Sequence, residues 1–228
     1  MIARYDTKTV AIAAVALVVT VALLIWGYGA HKKRETDKAI LALVTDTGAR
    51  LRDALGIEVA PPTADRAQVA KKLDEHAAAA DENLQAFKRL DTGSNQALAD
   101  AADDYLLTAR EILKRQSEGH RYRLLMGESE QALRDHMRRN DHSTAWVQGA
   151  VKAKERMNKD FRGYSLSAET FGKLLGSFPS SQRKIAAHVP PAVLIDGTLI
   201  SDARDRVAKD VKQVAADYER LNQIEAFR

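Results

Sequence analysis

Apolar and polar positions follow two different rhythms along this chain. From Thr9 to Ala30 there is no charged residue, with Lys8 before the stretch and Lys32, Lys33 and Arg34 just after it. Twenty-two uncharged residues in helical form rise about 33 Å, enough to cross a hydrocarbon core of about 30 Å. Tyr5 lies just outside one end and Trp26 and Tyr28 sit at the other, where amphipathic rings favour the headgroup level. The stretch predicts one N-terminal transmembrane helix. It exceeds the apolar core of a cleaved signal peptide, and cleavage after Ala30 would put Tyr28 at the −3 position instead of a small residue, so an uncleaved anchor is expected.

The second rhythm is amphipathic, with apolar residues three and four apart. It begins at Glu35–Leu55, with Ile40, Leu43, Val44, Leu51 and Leu55 on one face, and Gly56 and then Pro61-Pro62 end it. Thr63 or Asp65 is placed to cap a second helix running to about Leu90, with Val69, Leu73, Ala77, Ala80, Leu84 and Phe87 as its stripe. After the turn at Asp91-Thr92-Gly93-Ser94 a third helix carries Leu98, Ala102, Tyr105, Ala109 and Ile112. Its register slips near Ser117-Glu118-Gly119 and resumes through Tyr122, Met126, Ser129, Leu133 and Met137, which reads as one long helix with a local irregularity, with two helices as the alternative.

Ser143 or Thr144 caps a fourth helix with the cleanest pattern. Val147, Ala150, Lys154, Met157, Phe161, Tyr164, Ala168, Phe171, Leu175 and Phe178 alternate by three and four, a heptad seam interrupted only by Lys154. Pro179 is expected to end it, with a short helix at Gln182–Ala187 and a last helix from Ser201 or Asp202 through Val207, Val211, Val214, Tyr218 and Leu221. No segment reads as a clear strand. The expectation is an all-α protein: one transmembrane helix, then an up-and-down bundle of four to five long heptad-patterned helices. The chain divides into a tail at 1–8, the span at 9–30, a juxtamembrane basic segment with the first helix at 31–60, and the bundle at 61–228.

Composition narrows the function. No second apolar stretch approaches 18 residues, so a single-pass protein is expected. The net charge is +4, too mild for a nucleic-acid module. The absence of cysteine excludes disulfides, thiolate zinc sites and lipidated cysteine. Four basic residues follow the span (Lys32, Lys33, Arg34, Lys38) and two precede it (Arg4, Lys8). The positive-inside rule therefore leans toward a cytoplasmic bundle at a plasma membrane (the inner one in a bacterium), with a periplasmic bundle as the alternative.

Candidate chemistry is sparse. The histidines His31, His76, His120, His136, His142 and His188 show neither Glu-x-x-His nor His-Glu-x-x-His spacing, so no metal or cofactor is expected. No phosphate-binding, dinucleotide-binding or nucleophile-elbow glycine pattern occurs, and the reading is of a non-enzyme. Basic residues thicken between Arg110 and Arg162, thirteen against eight acidic. Arg134, Arg138, Arg139, Lys152, Arg156 and Lys159 form the candidate surface for an anionic partner, set against a solvated face of i,i+4 ion pairs. At the other end Tyr5, Trp26, Tyr28, Lys32, Lys33 and Arg34 form the candidate membrane interface, the basic trio contacting anionic lipid. The aromatic stripe Phe161, Tyr164, Phe171 and Phe178 reads as core packing, with a pocket between helices as the rival. The sequence thus points to a membrane-anchored scaffold, adaptor or accessory subunit with lipid and protein partners, whether in a homo-oligomer or a membrane complex. The second reading is an extracytoplasmic ligand-binding or sensory bundle.

Overall fold

The structure, a computed structural model, describes the backbone of residues 7–58, 65–93, 95–139 and 143–222, and the side chains of 31–58, 65–93, 95–139 and 143–220. It is all-α, with no strand among the described residues. Five helices follow in order: α1 (Thr7–Leu55), α2 (Arg66–Lys88), α3 (Gln96–Arg139), α4 (Thr144–Ile185) and α5 (Gly197–Asn222), with a 3₁₀ turn at Pro191–Val193 before the last. Among the described residues no helix is long and apolar enough to cross a membrane. The side chains of the expected span at 9–30, including Trp26 and Tyr28, lie outside the described residues, as does Tyr5.

The helices alternate in direction. Asp46 and Asp53 of α1 meet Asn83 and Lys72 of α2, so those two run antiparallel. Asp37 meets Asn95 and Ala54 meets Gln116, so α1 and α3 run parallel. One large core forms from α1–α4 and the start of α5, with Ile40, Val44, Leu51, Leu73, Tyr105, Ile112, Leu175 and Phe178 each at most 1% exposed. The second half of α1 is thus a full member of the bundle. Burial of such side chains is worth about 1.5–3 kcal/mol each, more than helix propensity could supply.

Two smaller clusters continue along α3 and α4 past the end of α1. The first joins Met126, Tyr164, Ala168 and Val214, the second Leu133 and Met157 with Met137 and Tyr218. The bundle therefore has two tiers. α3 and α4 run through both; α1 and α2 complete the first tier, and α5 completes the second. At 1.5 Å per residue the 44-residue α3 is about 66 Å long.

Several element ends differ from the sequence expectation. α4 does not stop at Pro179 but continues to Ile185, absorbing the expected short helix. Losing one backbone bond there costs about 3 kcal/mol. Leu175, Phe178 and Ile185 flank the proline with 0% exposure, and a break would uncover them at greater cost. α5 starts at Gly197, earlier than Ser201, because Asp196 Oδ1 accepts from the Thr198 amide (2.8 Å) and caps the helix. α3 is capped by Asn95 through the Leu98 amide, directly after the expected turn. Asp65 precedes α2 but makes no capping bond, and Thr63 lies outside the described residues.

The expected cap at Ser143 is present, its hydroxyl accepting from the Trp146 amide at 3.0 Å. Val147, assigned to the seam, is 49% exposed, while its neighbour Trp146 is buried. Trp146 takes the place because its ring stacks on His136, and each residue bonds the other's carbonyl (2.7 and 3.0 Å). Val147 is turned outward as a result.

Candidate functional site

The described residues of the two surfaces singled out by sequence are exposed and partly self-paired. Lys32 forms an ion pair with Asp91 at 2.8 Å, while Lys33 and Arg34 are exposed on α1. In the basic candidate surface Arg134 pairs with Glu130 (2.7 Å), Arg138 with Asp135 (3.3 Å) and Arg156 with Glu128 (4.0 Å). Arg139, Lys152 and Lys159 are exposed. These six residues occupy the end of α3 and the first half of α4, the tip of the second tier. Lys154 is partly buried there, beside Ala153 and Met157. Among the described residues no cluster of three or more metal-ligating side chains occurs.

The most structured chemistry lies elsewhere, where α1 ends and α5 takes over. A helix end leaves its last carbonyls without amide partners. Gln116 of α3 donates its Nε2 hydrogen to the Ala54 carbonyl at 2.7 Å. Arg206 of α5 donates from Nη2 to the next carbonyl, Leu55. Neutral amide and guanidinium together thus cap α1 inside the bundle, and the cation suits the negative end of the helix dipole.

Beside these caps runs a ladder of buried polar groups. Arg123 pairs with Asp210 at 3.0 Å, and the Tyr164 hydroxyl donates to the other oxygen of the same carboxylate. Burial first, and then the bond to Asp210, hold the Tyr164 phenol well above its ordinary range. His120 is 8% exposed and has no hydrogen-bond partner among the described residues. Burial pushes it down to about 4, opposed by Asp210 and reinforced by Arg123, so it is neutral at pH 7. Farther out Ser129 donates to the buried Asp160 at 2.6 Å, and Tyr218 donates to Asn158.

A small cavity opens between the caps and the ladder. Its polar lining is Arg115, Gln116, His120, Tyr164 and Arg206, and its apolar walls include Leu55, Ile57, Ala168, Phe171, Ala203 and Val207. Its volume is about 30 Å³. Gly119 also lines it, and a Cβ added there would meet nothing within 4 Å. Three atoms of these residues are fully enclosed by protein and have no hydrogen-bond partner among the described residues: Gln116 Oε1, Arg206 Nε and Arg115 Nε.

Sequence reasoning assigned Tyr164 and Phe171 to a core stripe, and both do pack there. It missed Gln116, His120, Arg206 and Asp210. The available signal was the register slip at Ser117-Glu118-Gly119, which is where the polar groups turn inward. No known protein family, curated protein or solved structure matches this chain.

Proposed function

We propose that this protein is a membrane-anchored, non-enzymatic helical bundle that serves as a scaffold, adaptor or accessory subunit of a membrane assembly. One observation carries the reading: α1 is a single helix over Thr7–Leu55. Its charge-free stretch runs without a break into Ile40, Val44, Leu51 and Leu55 of the core. An anchor that is also a core element couples the bundle stiffly to the bilayer, unlike a flexible linker. The length of α3 then sets the tip of the second tier, with its basic residues, some 66 Å from the first-tier end of the bundle. Such geometry suits a protein that holds a docking surface at a fixed height. Lys33 and Arg34, exposed where the apolar stretch ends, suit contact with anionic headgroups.

The test has two parts. The full chain should remain with membranes after alkaline carbonate extraction, and reporters fused after Arg228 should report one side only. A cytoplasmic reporter signal agrees with the basic residues after the span and directs the partner search to cytoplasmic factors; an external one reverses that orientation. Release of the intact chain into the soluble fraction would sink the anchor reading.

A further inference from the structure

We infer that the groove between α4 and α5 is the docking site for a second copy of this chain, which lays its α2 there, so that neighbours in one membrane associate head to tail. The groove has a volume of about 600 Å³, and its apolar lining is Ala168, Gly172, Gly176, Val207, Ala208 and Val211. A Cβ added at Gly172 or Gly176 would meet nothing within 4 Å, so the chain's own packing leaves this space open. Small residues on one side let a second helix approach closely. Leu166, one helical turn before the groove residue Glu169, is 66% exposed. Glu169 and Lys173 both line the groove and are ion-paired at 2.6 Å. The outward face of α2 carries the same pair in reverse order, Lys71 with Glu75 at 4.0 Å, followed by the exposed Ala78 and Glu82.

Exposed ion pairs are individually weak, and it is the levels of these two that decide. Asp81 of α2 pairs with Arg110 of α3, and Asp74 accepts from Ser117. On the other side of α3, Thr108 meets Ser181 of α4 and Ser129 donates to Asp160. Counted along each helix from these bonds, Lys71 and Glu169 both stand level with His120. Glu75 and Lys173 both stand level with Gln116, and Ala78 and Gly176 with Leu113. α2 and α4 each run opposite to α3, so they point the same way. Copies held upright by α1 in one bilayer are related by rotation about the membrane normal, which preserves height and direction. One copy then presents Lys71 to Glu169, Glu75 to Lys173 and Ala78 to Gly176 of its neighbour with no vertical shift. α2 packs on α1 and α3, away from the groove, so the contact is heterologous and builds a ring or an open row. Confinement to one membrane raises the effective concentration, and a modest contact suffices. The shared height rests on the anchor reading.

The chain has no cysteine, so disulfide cross-linking starts from a clean background. The full chain carrying both Ala78→Cys and Gly176→Cys is oxidised in membranes with copper–phenanthroline, which joins cysteines only at close approach. A ladder of dimers, trimers and higher species is expected. Mixed chains carrying one substitution each should give dimers only, and either substitution by itself should give none. Equal dimer yield from Ala78→Cys alone would mean a like-to-like contact and overturn the inference. Reversing one pair (Lys71→Glu with Glu75→Lys) should lower the yield about tenfold, and reversing the other as well (Glu169→Lys with Lys173→Glu) should restore it. All four positions are exposed, so the fold is not at stake. A yield that the second reversal does not restore would overturn the register. A chain that resists carbonate extraction but gives no ladder overturns the contact and leaves the anchor reading standing. A chain released by carbonate removes the anchor reading and the inference with it.

Discussion

Tyr164 on α4 donates its hydroxyl hydrogen to Asp210 on α5, whose second oxygen holds Arg123 of α3 at 3.0 Å. Three helices are thereby joined through one carboxylate that is 8% exposed. A shared buried carboxylate fixes the rotation of α5 against the α3–α4 pair, which apolar contacts alone would leave less specific.

Removing the pieces of this junction should have unequal effects. Tyr164→Phe removes one donor and leaves the ion pair, with an expected loss of about 1–3 kcal/mol. Asp210→Ala leaves Arg123 and the Tyr164 hydroxyl uncompensated, and about 3–5 kcal/mol is expected. Denaturant titration of the full chain in detergent checks the order. An Asp210→Ala loss no larger than that of Tyr164→Phe would contradict it.

His120 makes stability depend on pH in a stated direction. Its folded value is lowered to about 4 from an ordinary 6.5, so between those values the unfolded chain binds a proton that the folded chain refuses. The contribution is therefore full above pH 6.5 and is lost as the pH falls toward 4, up to about 3 kcal/mol in all. His120→Asn should flatten the decline in unfolding midpoint between pH 7 and pH 4.5. An unchanged slope in that variant would assign the pH dependence to other groups.

Gly48 and Gly172 make a matched pair. A Cβ at Gly48 would lie 2.8 Å from the Tyr105 hydroxyl and 3.2 Å from the Val193 carbonyl oxygen, and Tyr105 has no exposure through which to move. Gly48→Ala should cost about 1–3 kcal/mol despite alanine's better helix propensity. At Gly172 nothing lies within 4 Å, and alanine there should stabilise by up to about 1 kcal/mol. Melting temperatures of the two variants should move in opposite directions.

The start of α4 rests on one capping hydroxyl. Ser143→Ala removes the acceptor for the Trp146 amide and should cost about 1 kcal/mol, while Ser143→Asp should retain most of it. The near-ultraviolet signal of Trp146, whose ring stacks on His136 at 5.6 Å, reports whether the tip is preserved.

Much of the fold was legible because apolar stripes at helical spacing admit few alternatives. Most of the stripes of α3 and α4 are buried as their spacing requires, and the continuity of α1 follows from uninterrupted helical residues. The register slip near Ser117 was legible as an irregularity, but its content was not. The far ends of elements were misjudged where a local signal competed with burial. Pro179 would end an isolated helix, yet Phe178 and Ile185 keep this one intact.

The sequence by itself determined the helical class, the charge-free stretch, the stripes and the absence of thiol chemistry, because each depends on residue type and spacing along one chain. Only the tertiary structure decided that α1 stops halfway along α3 and that α5 continues in its place. That exchange brings the Ala54 and Leu55 carbonyls, Gln116, His120, Arg206 and the Asp210 junction into one layer. A spacing pattern says which face of a helix is buried. It does not say which helix end will lie against that face, and here the helix end creates the demand for polar partners.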